Sequence, residues 1–192
     1  MVKLVQGVGI NDGKYPTTLN GLITKEYRLW ASMLERCYSV KFHIKNPTYI
    51  GCTVSDMFKH YKHFFEWCQN QIGFGNVDFQ LDKDLLHKGN KEYNENNCVF
   101  IPLEINNVLI KRQSDRGLLP IGVTKKGNNF QSRCNIGSTR KALGTFTTPE
   151  LAFNAYKTFK EAHIKELAEK YKDTIDSRAY QALLKYEVNI DD

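Results

Sequence analysis

The stretch IGVTKKGNNFQSRCNIGSTRKALGTFTTPELAFNAYK, residues 121–157, decides the fold class. Three short runs of alternating character, residues 121–124, 130–136 and 141–146, are separated by a Gly- and Asn-rich segment at 125–129 and by Gly137 and Ser138. That punctuation signals antiparallel hairpins. In the middle run, alternation sends Phe130, Ser132, Cys134 and Ile136 to one face and Gln131, Arg133 and Asn135 to the other. Thr147 or Thr148 then caps a helix, with Pro149 in its first turn and Glu150 at its positive end. Leu151, Ala152, Ala155, Tyr156, Phe159, Ala162 and Leu167 form its apolar stripe. The stretch therefore predicts a three-stranded antiparallel sheet packed on one helix, followed by a smaller helix around residues 178–186.

Moving outward, the period changes from 2 to 3.6. Thr24 caps a helix over 24–37 with Tyr27, Trp30, Met33, Leu34 and Cys37 on one side. Ser55 caps another over 55–71, whose stripe is Met57, Phe58, Tyr61, Phe64, Phe65 and Cys68. A core role suits that aromatic stripe. Residues 1–23 read as an irregular arm and 38–54 as a turn-rich connection. Strands at 79–84 and 98–102 flank a polar loop holding Gly89, Asn90 and Asn94, and a short helix runs from Pro102 or Leu103 to Leu109. The expected class is α+β: a helical N-terminal region, a strand–loop–strand–helix (ββα) unit, then the sheet-on-helix domain. Domain bounds fall at 1–115 and 116–192, with a linker near 113–119.

Composition narrows the function classes. With 41% hydrophobic and 25% charged residues the chain is neither disordered nor low-complexity. No apolar run reaches the ~20 residues of a membrane span. Five cysteines, none in a C-x-x-C spacing, fit free buried thiols and a cytoplasmic setting better than a disulfide framework or zinc site. The formal net charge is +6, and residues 116–145 alone hold six cations and no acid: Arg116, Lys125, Lys126, Arg133, Arg140 and Lys141. Ordinary solvated faces mix signs. An acid-free stretch points to a polyanion, and double-stranded DNA is the expected partner. A twisted sheet can enter the major groove, where Arg pairs with guanine and Gln or Asn with adenine. Six phosphate contacts would give a log K against log salt slope of about −5.

Gly122-Val123, Phe130, Arg133, Leu143-Gly144-Thr145-Phe146, Glu150-Leu151-Ala152, Ala155-Tyr156 and Lys160 follow one another in an order that resembles the Apetala-type (ethylene-response-factor) DNA-binding domain. The resemblance implies a three-stranded sheet on one helix, with the exposed sheet face in the major groove. Arg116, Lys125, Lys126, Gln131, Arg133, Asn135, Arg140 and Lys141 are the candidate DNA-binding residues.

Upstream, Leu81-Asp82-Lys83-Asp84, Gly89-Asn90-Lys91, Asn97-Cys98 and Ile105-Asn106-Asn107 resemble the HNH endonuclease motif. The variety is that of phage homing endonucleases, which often carry an Apetala-type domain C-terminally. The resemblance implies that Asp82 is the acid of the first strand, Asn97 the middle Asn, and Asn106, nine residues on, the last Asn. Asp82 and Asn106 would hold a Mg²⁺ or Mn²⁺ ion that stabilises the phosphate and leaving oxygen. The family's general-base His is Lys83 here, a poor base at neutral pH that can still meet phosphate as a point charge. His87 lies in the loop out of alignment, and His60 and His63 read as a solvated helix face.

Two functions stay open from sequence. One is a metal-dependent DNA nickase or endonuclease using Asp82, Lys83, Asn97 and Asn106. The other is a non-catalytic DNA-binding regulator or anti-host factor on the same scaffold. RNA binding fits less well, because the sheet surface offers few aromatics for stacking bases.

Overall fold

The structure, a computed structural model, describes residues 4–110 and 118–192. They fall into two compact units, Met1–Phe100 and Ile101–Asp192. The mixed helix and sheet content is the expected α+β class.

In the first unit an aromatic core forms between two helical segments. α1 (Lys25–Tyr38) is capped by Thr24, whose side chain accepts from the Tyr27 N–H, and buries Trp30, Met33, Leu34 and Cys37. The Trp30 indole N–H donates to the Phe58 carbonyl at 2.7 Å, so a buried polar edge is satisfied where the core is densest. The expected helix over 55–71 is two helices, α3 (Asp56–Lys59) and α4 (Tyr61–Gln69). The arm breaks them apart: Ile10 N–H donates to the Lys59 carbonyl and its own carbonyl accepts from Tyr61 N–H, both at 2.9 Å. Those two groups are then committed across the chain, and the helix is interrupted at His60. Just before, Gly9 meets the same core, where an added Cβ would lie 2.3 Å from a Leu34 methyl.

Further short elements lie where irregular chain or loop was expected. β1 (Thr18–Leu19) and β2 (Leu22–Ile23) make a hairpin through Asn20 and Gly21, at φ of 51° and 78°. That Asn-Gly pair suits a two-residue hairpin loop, but the exposed Leu19, Leu22 and Ile23 carry no burial pattern to mark the strands. α2 (Val40–Lys45), capped by Ser39, buries none of its residues and so lacks a readable stripe. β3 (Thr53–Val54) pairs in parallel with a two-residue strand, β5 (Glu92–Tyr93). β4 (Phe79–Asp82) pairs with β6 (Val99–Pro102). Both β4 and β6 lie within the expected strands.

α5 (Leu103–Leu109), the expected short helix, falls in the second unit. Its sheet follows the order β7 (Val123–Lys126), β8 (Asn129–Ile136), β9 (Thr139–Phe146), all antiparallel, with turns at Gly127 and Gly137. α6 (Pro149–Tyr171) starts at Thr148, whose hydroxyl accepts from the Leu151 N–H, and lies across the sheet. Ile121, Val123, Cys134, Ala152, Phe153, Tyr156 and Val188 make the shared core. Leu151 and Ala162 of the predicted stripe are exposed instead, and Phe153 takes a buried place. Gly122 is required twice over: its φ is +78°, and a Cβ there would meet the Tyr156 ring at 2.1 Å. α7 (Ser177–Leu184) packs on α6 through Ala179 and Leu183. The tail returns to α6, where Lys157 Nζ donates to the Val188 carbonyl and the Glu161 carboxylate accepts from Val188 N–H.

Candidate nucleic-acid interface

β8 divides its side chains as the alternation requires. Ser132 and Cys134 are buried against α6, and Phe130 packs there too. Gln131, Arg133 and Asn135 stand on the outer face. Cross-strand register extends that face, because directly opposed residues share a side. Thr124 and Thr145 oppose Gln131, Lys126 opposes Asn129, Ala142 opposes Arg133, and Arg140 opposes Asn135. The register shifts between Ser132 and Arg133, which puts a bulge beside Leu143 and Gly144, the latter at φ +139°. Without that bulge the alternation of β9 would turn Arg140 away from Arg133. An Arg133 guanidinium N–H donates to the Gln131 side-chain carbonyl, so two candidate readers are held to one another.

The same register corrects the expected patch. Lys125 opposes Phe130 and Lys141 opposes Cys134, which puts both on the helix side of the sheet. Lys141 lays its ammonium 4.5 Å from the centre of the Phe159 ring. Arg116 lies outside the described residues. The outer face therefore carries three of the six cations, Lys126, Arg133 and Arg140, with Gln131 and Asn135 between them. Among the described residues none of these three cations, nor Lys125 or Lys141, has a carboxylate within 4 Å.

No protein-family model, curated protein or solved structure matches the chain.

The second set of candidate residues has a different character. Asp82 Oδ1 accepts from the backbone N–H groups of Asp84 at 2.8 Å and Leu85 at 2.7 Å, closing a turn at the end of β4. Burial nevertheless pushes its carboxyl above the ordinary carboxylate range, the two backbone donors opposing that rise. Lys83 is buried and donates to the Asp84 carboxylate and to the Asn90 carbonyl, its ammonium 5.5 Å from the Tyr93 ring centre. Asn90 is the hub that sequence reading treated as a loop residue. Its amide donates to the carbonyls of Lys83 at 2.8 Å and Glu92 at 2.6 Å, and its Oδ1 accepts from Glu92 N–H at 3.1 Å and from the Asn97 amide at 3.4 Å. Only its place after Gly89, a turn signal, marks it in the sequence. The structure thus joins Lys83 and Asn97 through Asn90 and keeps Asp82 in its own turn. Asn106 stands half-buried on α5 of the second unit. His87 is exposed, and among the described residues there is no group of three His, Cys, Asp or Glu side chains able to hold a metal.

At Asp82 one carboxylate oxygen is committed to two N–H donors, and the Lys83 ammonium nearby is bonded to Asp84. Cysteine chemistry is also disfavoured. All five thiols are free and buried, and burial pushes that of Cys37 up to about 12 and raises those of Cys68, Cys98 and Cys134, away from the reactive thiolate. No helix among the described residues is long and apolar enough to cross a membrane.

Proposed function

We propose that this chain binds double-stranded DNA through the outer face of β7–β8–β9, without cutting it. Lys126, Arg133 and Arg140 meet phosphates or guanine edges, and Gln131 and Asn135 reach adenine edges in the major groove. The observation that carries this reading is the alignment on one sheet face of two amides and three cations that have no carboxylate within 4 Å among the described residues. The resemblance to an Apetala-type domain supports the same face. The unpaired thiols suit a reducing compartment, and we assign the chain to the cytoplasm.

Fluorescence anisotropy with a labelled duplex tests the binding. Three phosphate contacts give a log K against log salt slope of about −3, not the −5 of six. A slope near zero, or no binding at low salt, refutes the reading.

The resemblance to the HNH motif supports a second reading, a nickase that would need Mg²⁺ or Mn²⁺. Against it stand the engaged Lys83 and the turn-bound Asp82. Incubation with supercoiled plasmid and either ion leaves the plasmid closed under the first reading; open circles that disappear in Asp82→Ala and Asn106→Ala establish the second. Gained nicking in Lys83→His would show that only the base was missing.

A further inference from the structure

Within the second unit a cleft of about 700 Å³ lies beside β8, bordered by α5, α6 and the Leu119–Thr124 segment. Its volume falls within the roughly 300–1,000 Å³ typical of small-molecule sites. Lys160 lines it and is 92% buried (relative exposure 8%). Among the described residues its ammonium meets neither a carboxylate within 4 Å nor a hydrogen-bond acceptor. Its Nζ lies 5.9 Å from the centre of the Tyr156 ring and near enough to the Cys134 thiol to interact with it electrostatically. Asp192 borders a small adjoining pocket that Lys160 also lines.

The Lys160 side chain is largely buried, while its ammonium, hydrogen-bonded to no group among the described residues, opens on the cleft, and partial loss of water disfavours its charged form. Burial accordingly holds Lys160 below the ordinary lysine range. The fold keeps the lysine nonetheless, where a Leu or Met would cover the same apolar surface. Charge in the cleft points one way. Lys125, Arg133 and Arg140 line it beside Lys160, against one carboxylate among the described lining residues, Glu104. That carboxylate is already engaged by the Lys170 ammonium at 2.5 Å and the Tyr171 hydroxyl at 2.7 Å. Four cations facing so little negative charge fit a multiply charged anion better than a single carboxylate. Arginine's planar fork matches phosphate oxygens in pairs. Val108, Ile121 and Tyr156 supply apolar wall for whatever the phosphate carries.

We propose that this cleft is a phosphate-binding site for a nucleotide-sized ligand, with Lys160 as its buried anchor. The phosphate belongs either to a free nucleotide or to the 5′-end of a nucleic-acid strand. The site is separate from the outer sheet face, although Arg133, Asn135 and Arg140 border both, so the tests use residues that belong to one alone.

Thermal melting of the full chain is measured with inorganic phosphate, with thymidine 5′-monophosphate, and with a single-stranded decamer bearing or lacking a 5′-phosphate. A rise in Tm with the mononucleotide identifies a free ligand. A rise with the 5′-phosphorylated decamer but not its unphosphorylated twin, in the absence of a mononucleotide effect, identifies a strand end. No rise with any phosphate compound at millimolar concentration overturns the proposal without need of a variant. Lys160→Met, which keeps the apolar stem, lowers affinity for the responding compound by about tenfold or more, the loss of a charge-assisted contact. It leaves duplex affinity within about twofold, while Lys126→Ala does the reverse. Unchanged ligand affinity in a folded Lys160→Met also overturns the proposal. If that variant fails to fold, Lys160→Gln, smaller and still polar, takes its place with the same criterion.

Discussion

The outer face of β7–β8–β9 and the β4–β5 segment of the first unit hold the same kinds of side chain: lysine, asparagine, an acid or amide within a few residues. They differ in where the hydrogen bonds go. Around Asn90 four bonds tie the amide to Lys83, Glu92 and Asn97, and Lys83 is used up on Asp84 and a backbone carbonyl. On the sheet Lys126, Arg133 and Arg140 face outward with no carboxylate partner among the described residues. Polar groups whose bonds close inside the protein hold a loop in shape. Those left open have capacity to spend on a ligand. Residue type alone does not distinguish the two.

The largest expected effect tests the open face. Replacing Lys126, Arg133 and Arg140 together by alanine lowers duplex affinity by about a thousandfold, near 4 kcal/mol. Stability shifts by less than about 0.5 kcal/mol, as for surface sites without closed networks. Anisotropy and thermal melting measure the two quantities, and a large loss of stability with intact binding would reverse the comparison.

The closed cluster should show the opposite pattern. Asn90→Ala leaves half-buried carbonyls of Lys83 and Glu92 without their donor and destabilises the first unit by about 2–3 kcal/mol, with duplex affinity unchanged. Both tryptophans of the chain, Trp30 and Trp67, lie in that unit, so urea unfolding followed by tryptophan fluorescence reports on it directly. A stable Asn90→Ala with weakened DNA binding would make the cluster a binding site.

Asp82 sharpens the same contrast through pH. Because its carboxyl is raised in the folded state, the protonated form is favoured there. That contribution is complete below the unfolded value of about 4 and is lost as pH rises through the folded value. Asp82→Asn keeps the Oδ1 acceptor and removes the charge. It is therefore expected to match or exceed the parent in stability at pH 7, the difference closing toward pH 4 in the same urea experiment. Strong destabilisation by Asn at pH 7 would mean that the turn needs the ionised carboxylate.

The smallest effect distinguishes the two sides of the sheet. Lys141→Ala, on the Phe159 side, lowers duplex affinity by less than about twofold, whereas Lys126→Ala costs about one phosphate contact and reduces the salt slope by about 0.9. Equal effects from both would merge the two faces into one basic patch.

Much of this architecture was legible without coordinates. Thr24, Ser55 and Thr148 cap helices as their positions implied, because an N-cap bond is local and needs only the next turn. The three strands of the second unit and the inward side of β8 follow from a period of two, which a half-buried sheet imposes on its own sequence. The break at His60 was not legible, since Ile10, fifty residues away, creates it. The two-residue strands were missed because they carry no stripe.

Sequence alone determined the class of elements, the five unpaired buried thiols and the concentration of positive charge between residues 116 and 145. Tertiary structure decided which of those charges act together. A bulge at Ser132 and Arg133 sets the register of β9, and a shift of one residue there would exchange Arg140 for Lys141 on the outer face. It also decided that Asn90 closes a network and that Lys160 is largely buried with no carboxylate within 4 Å among the described residues, because hydrogen-bond satisfaction depends on groups distant along the chain.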